Sequence, residues 1–142
     1  MMETKTNRIQ KDLETLAAFT STPGQGVTRS SYSKEDQMAK AYLISEMQKL
    51  NLTIYEDGYG TLFGRKEGTL KDAPSVMFGS HYDSVVNGGA FDGAAGTVAA
   101  IEVMRVLTEN NFRNDYPLEI IAMNAEEGAT FGPSTGVSNS RA

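Results

Sequence analysis

One histidine occurs in this chain, and the pattern around it admits few folds. His81 lies just beyond the apolar run Ser75-Val76-Met77-Phe78, within G-S-H-Y-D-S-V-V-N-G-G-A-F-D-G-A-A-G, which begins at Gly79. A long apolar segment follows, then L-E-I-I-A-M-N-A-E-E-G from Leu118. The run from Ser75 to Phe78 reads as a short buried strand, Ala94 to about Asn111 as a helix, and Leu118 to Met123 as a second buried strand. Strand, loop, helix and strand make a βαβ unit whose crossover is expected to be right-handed. In such sheets ligands and catalytic groups gather at the carboxyl ends of the strands. His81 and the pair Glu126-Glu127 both fall just past strand ends, on that one edge.

The residues before this unit predict a scaffold. Ile9, Leu13, Leu16 and Ala17 share one face of an amphipathic helix, which Thr22-Pro23-Gly24 and Gly26 require to end near Thr20. Ser33-Lys34-Glu35-Asp36 fits a capping box, with the Ser33 hydroxyl and Asp36 carboxylate satisfying first-turn amides. Ala39, Leu43, Met47 and Leu50 repeat behind it, predicting a second helix from about Ser33 to Leu50. Thr53 to Glu56 and Thr61 to Phe63 are rich in β-branched and aromatic residues. The turn Asp57-Gly58-Tyr59-Gly60 between them predicts an antiparallel pair. In the third helix Glu102, Arg105 and Glu109 form a polar face, and Val98, Ile101 and Met104 a buried one. The expected class is α/β in a single domain, which 142 residues are enough to give a core.

Charge and composition narrow the partners. A net charge of −5, with Lys34, Arg65, Arg105 and Arg113 scattered rather than clustered, argues against nucleic acid. No stretch approaches the roughly 18 apolar residues of a membrane span. The N-terminus M-M-E-T-K-T-N-R lacks the apolar core of a secretory signal, so a cytoplasmic protein is expected. Without cysteine there are neither disulfides nor thiolate metal ligands.

Each chemical residue has an ordinary reading and a functional one. A solitary histidine is most often a surface or hydrogen-bonded core residue. Asp83, two residues beyond His81, is placed to hold the second N–H of the imidazole and leave the other nitrogen for a metal. Asp92 is either the N-cap of the third helix or a carboxylate bridging two metals. Glu126 and Glu127 are either solvated acids or a divided pair, one binding metal and one acting as general base on water. Imidazole and carboxylates without sulfur suit Zn²⁺, Mn²⁺ or Co²⁺. Seven of the fourteen glycines (Gly79, Gly88, Gly89, Gly93, Gly96, Gly128 and Gly132) surround these residues, more like a shaped site than generic turns.

These strings together resemble the N-terminal part of the hydantoinase/carbamoylase branch of the dinuclear zinc metallopeptidase-like amidohydrolases. That branch includes N-carbamoyl-L-amino acid hydrolases and allantoate amidohydrolases. The matching stretches are T-P-G-Q-G-V-T-R from Thr22, Y-S-K-E-D from Tyr32 and T-L-F-G-R-K-E-G from Thr61. The glycine-rich stretch around His81 and N-A-E-E-G-A-T-F-G-P from Asn124 complete the set.

The resemblance implies the N-terminal half of a three-layer zinc-aminopeptidase-like catalytic domain, a mixed sheet with flanking helices. It implies His81 as a ligand of one metal, Asp92 as the bridging ligand and Glu127 as a ligand of the second. Glu126 would be the general base and Asp83 the partner of His81. The peptide after the bridging aspartate, Asp92-Gly93, is expected to be cis. The implied reaction is hydrolysis of a carbamoyl or ureido C–N bond in a small substrate, with two divalent ions.

Family members are longer, with a lid domain and two further histidine ligands. The chain over 1–142 is therefore expected to be a partial catalytic domain, weak or inactive alone, with too few ligands to fill both metal positions. Self-association through exposed sheet edges is expected as well. The alternative is a non-catalytic α/β module that binds a cation or a partner chain.

Overall fold

The computed structural model describes residues 2–128. Along the chain it places helices α1 (Thr6–Ala18) and α2 (Lys34–Lys49), then strands β1 (Thr53–Glu56), β2 (Leu62–Lys66) and β3 (Val76–His81). Helix α3 (Ala94–Glu109) and strand β4 (Leu118–Met123) follow. Gly132 and the end of the E-E-G-A-T-F-G-P string, from Ala129, lie outside the described residues.

The four strands form one mixed sheet in the order β1-β2-β4-β3. β1 with β2 and β2 with β4 are antiparallel, while β3 and β4, joined through α3, run parallel. The expected α/β architecture of a mixed sheet with flanking helices is therefore present. Strands β1 and β3 are its outer strands among the described residues. Leu62 and Ala122 pair on the face that also carries Ile120 and Gly64, and this face packs with Leu16, Leu43, Met47, Val98, Ile101 and Met104 into one core. A β-carbon on Gly64 would meet Met47 Sδ at 2.9 Å, so α2 lies directly on the sheet. On the opposite face Tyr55 and Phe63 stack with ring centroids 4.7 Å apart. Among the described residues no helix is long and apolar enough to cross a membrane.

Three local expectations are corrected. The α3 residues assigned to a polar face are mostly inside: Glu102 is 1% and Arg105 9% exposed. Helix α1 packs along that face, and the charges pair across it. Arg105 donates to Asp12 Oδ2 at 2.5 Å and Glu46 Oε2 at 2.7 Å, and Arg8 donates to Glu102 Oε1 at 2.7 Å. Periodicity marks side chains as polar without showing that a neighbouring helix supplies their counter-charges.

Strand β3 continues to His81 instead of ending at Phe78, because its parallel register with β4 runs unbroken from Val76↔Leu118 to His81↔Met123. Gly79 and Ser80 interrupt the apolar run but not the ladder. Gly79 permits it, since a β-carbon there would overlap the carbonyl oxygen of Ile121.

At the start of α2 the Ser33 hydroxyl accepts from the Asp36 amide at 3.2 Å, as a capping box requires. The Asp36 carboxylate, however, accepts from the amide of Tyr32 at 3.0 Å, because the amide of Ser33 already donates to the carbonyl of Ser30.

Candidate metal centre

The parallel pairing of β3 with β4 ends both strands at one level, and the next amide, of Tyr82, still donates to Met123 O at 3.0 Å. His81 therefore emerges beside the turn that carries Glu126 and Glu127. Its main-chain carbonyl accepts from the Thr97 hydroxyl at 3.0 Å, tying the strand end to the first turn of α3. His81 is 7% exposed. Its Nδ1 lies 3.1 Å from Asp83 O and 3.5 Å from Asp83 Oδ1. Its Nε2 faces outward, 3.6 Å from Asp92 Oδ1 and 3.8 Å from Glu126 Oε2. One ring nitrogen is thus committed to Asp83 and the other points into a group of carboxylates.

Asp92 is not spent on capping α3. The N-cap is Gly93, with no side-chain cap bond, and the Asp92 carboxylate stays exposed beside the imidazole. The Asp92-Gly93 peptide is trans, not cis as expected. Gly93, at φ 62° and ψ −50°, makes the reversal instead, with the amide of Ala94 donating to Asp92 O at 2.6 Å. This is a γ-turn of positive φ, a rare conformation that a residue without a β-carbon adopts most readily.

Ligand atoms of His81, Asp92 and Glu127 lie within 4.8 Å of one another. Glu126 sits at their side. All five residues singled out in the sequence come together, and Asp83 does more than hold the imidazole. Its buried carboxylate accepts from the amides of Glu126 and Glu127, each at 3.2 Å, and from the Ser31 hydroxyl at 3.3 Å. One carboxylate therefore fixes His81 and both glutamates.

The electrostatics follow from this crowding. The hydrogen bond with Asp83, only partly opposed by burial, raises His81 to about 9. Burial pushes the Asp83 carboxyl up, but the hydrogen bonds from His81 and the two glutamate amides outweigh it and hold the group below its ordinary value. Burial, then the charge of Asp92, raises the Glu127 carboxyl. Crowded carboxylates around one outward imidazole nitrogen, with no sulfur, are a donor set that fits a hard-to-intermediate divalent cation.

Sequence reasoning missed the layer behind these residues. Arg29 and Asn124 are fully buried there, as is Asp36. The Asn124 side chain accepts from the Ala125 amide at 2.9 Å and donates to Asp36 Oδ2 at 3.4 Å, shaping the turn that presents the glutamates. The only signal for Arg29 was its place at the end of T-P-G-Q-G-V-T-R.

The end of the β3–β4 sheet edge thus gathers a histidine and carboxylates that could hold a divalent cation. Residues 61–141 match peptidase family M28, and the chain belongs to that family. It is 44% identical over 142 residues to an N-carbamoyl-L-amino-acid amidohydrolase of Paenarthrobacter aurescens, covering 100% of this chain and 34% of that protein. It is 37% identical to a ureidoglycolate hydrolase of Oryza sativa subsp. japonica, covering 89% of this chain and 26% of the relative. A hydantoinase/carbamoylase family amidase from Burkholderia ambifaria superposes with a TM-score of 0.89 at 34% identity, over 94% of this chain and 33% of that one. The chain thus spans about a third or less of the length of these relatives.

Proposed function

We propose that this chain supplies the metal-binding strand edge of a hydrolase that cleaves the C–N bond of small N-carbamoyl or ureido compounds. The observation behind this reading is the convergence of His81, Asp92 and Glu127 ligand atoms within 4.8 Å, with Glu126 beside them. The relatives supply the substrate class, since their names specify carbamoyl and ureido compounds.

His81 would hold one divalent cation and Glu127 a second, with Asp92 between them; Zn²⁺, Mn²⁺ and Co²⁺ all suit these donors. Such cations polarise a bound carbonyl and make water more acidic. Glu126, whose carboxylate is free of the metal ligands' task, takes the proton of the attacking water and returns it to the leaving nitrogen. Asp83 keeps His81 oriented and the two glutamates in register.

Each metal position would draw two ligands from the described residues, where catalytic zinc sites normally have three. Each position would therefore be completed by ligands beyond His81, Asp92 and Glu127. Self-association along β1 or β3, the outer strands among the described residues, is part of the same proposal. The location proposed is cytoplasmic, on composition alone.

The test is a calorimetric titration of Zn²⁺ and Mn²⁺ into the protein, beside His81→Ala. Binding that weakens at least tenfold in the variant supports the site, and equal binding by both proteins rejects it. Where turnover is measurable, alone or with a complementary chain, Glu126→Gln should abolish it and leave metal binding intact.

A further inference from the structure

We infer that Arg29 is a positioning residue for this centre: its buried guanidinium fixes the peptide between His81 and Asp83, and with it the place of the Asp83 carboxylate. The inference rests on the metal-site reading above. The observation behind it is the segment 27–29, which nothing in the proposed chemistry uses.

Residues 27–29 clamp the stretch that leads from His81 toward Asp92. Val27 and Gly88 exchange main-chain hydrogen bonds at 2.9 and 2.8 Å. The Arg29 carbonyl accepts from the amide of Ser84 at 3.0 Å, the Arg29 amide donates to Ser84 Oγ at 2.9 Å, and Ser84 Oγ donates to Val27 O at 3.0 Å. The backbone clamp alone would hold the loop. The side chain adds a specific link.

Arg29 is 2% exposed. Its Nε donates to Tyr82 O at 2.6 Å, and its Nη1 to Leu16 O at 2.6 Å and Phe19 O at 3.2 Å. The first contact seizes the peptide that separates the imidazole from its carboxylate partner. The other two anchor that peptide to the end of α1.

A guanidinium cannot lose its charge in a protein, and a buried charge needs compensation. Burial lowers the tendency of Arg29 to hold its proton, while the charges of Asp36 and Asp83 raise it again. All three of these groups are buried. By holding the Tyr82–Asp83 peptide, Arg29 places the Asp83 carboxylate that accepts from the Glu126 and Glu127 amides and lies against His81. A wholly structural arginine would tie α1 to the core without affecting that carboxylate.

The experiment compares Arg29→Met with Arg105→Met, a second loss of a buried arginine at the α1–α3 interface. Two readouts are taken: Zn²⁺ affinity by calorimetry, and the backbone amide resonances and hydrogen exchange of Glu126 and Glu127 in metal-free protein. Arg29→Met is expected to weaken Zn²⁺ binding at least tenfold and to shift both amides with faster exchange, while Arg105→Met does neither. Should Arg29→Met fail to fold, Arg29→Lys, which keeps the charge without the fork, is expected to show the same changes in smaller measure. If the variants lose only thermal stability and keep wild-type amides, Arg29 is structural and the inference is overturned. Wild-type protein that takes up no Zn²⁺ would sink the metal-site reading alone, because the metal-free amides still decide the role of Arg29.

Discussion

Gly93 lies flat against the imidazole of His81, so close that a β-carbon on it would overlap Cε1 and both ring nitrogens. The glycine is also in the left-handed region, at φ 62°. Gly93→Ala therefore has to displace the ring or unwind the turn before α3, at a conformational cost of about 1–3 kcal/mol. Because Nε2 of that ring faces Asp92 and Glu126, metal affinity should fall at least tenfold. Gly89→Ala is the matched control, since its β-carbon would meet nothing within 4 Å, and it should titrate like wild type. Equal affinity in all three proteins would show that the ring is not held by this contact.

Asp83 joins elements that are far apart in sequence, and the substitution Asp83→Asn isolates that function. The amide keeps the shape of the carboxylate but turns one acceptor into a donor facing the N–H groups of Glu126 and Glu127. Loss of a carboxylate behind a ligating histidine typically costs about 10–100-fold in metal affinity. That range is expected in a Zn²⁺ titration, together with faster hydrogen exchange at the two glutamate amides. Unchanged exchange would mean the strand-end turn is held by Asn124 alone.

The sequence exposed the strand–helix–strand unit and the order of its acids because those signals are local. An apolar run ending in a histidine, and another ending in two glutamates, locate a sheet edge without knowledge of any partner. Asp92 showed the limit of local reading. Its cap and ligand roles were separable only when Gly93 proved to be the N-cap. Arg29 and Asn124 were missed for another reason: the Arg29 guanidinium serves main-chain oxygens, Asn124 joins a main-chain amide to Asp36, and such contacts have no sequence signature. The burial of Glu102 and Arg105 likewise depends on α1, which lies more than 80 positions earlier in the chain.

The start of α2 offers a direct test of local stability. Ser33 accepts from the Asp36 amide, and its replacement leaves that first-turn donor without a partner. Ser33→Ala should cost about 1 kcal/mol in chemical denaturation. A Ser33→Gly variant should lose only a few tenths of that amount. Equal losses in the two would show that the side-chain acceptor is not what holds this end of the helix.

The buried charges between α1, α2 and α3 set how the protein responds to acid. Burial pushes the Glu46 carboxyl up, but the hydrogen bonds of Lys49 and Arg105 overcome that and hold it below its ordinary value. Glu102 behaves alike, with burial outweighed by the hydrogen bonds from Arg8 and the Lys5 amide. Carboxyls depressed in the folded state stabilise it at pH values above their unfolded pKa, about 4.3 for glutamate. That stabilisation disappears as pH falls through their lower folded values. Their contribution to stability measured by urea denaturation should thus be level from about pH 7 to 5 and drop steeply below about 4. Arg105→Met leaves Asp12 and Glu46 buried without their shared cation, at a cost of about 3–5 kcal/mol at neutral pH. The variant should also lose part of the acid dependence, because only Lys49 is left to hold Glu46 ionised, while Arg8 still holds Glu102. Wild-type and variant curves that run parallel down to pH 3 would instead place the acid sensitivity elsewhere, with Asp83 the next group to substitute.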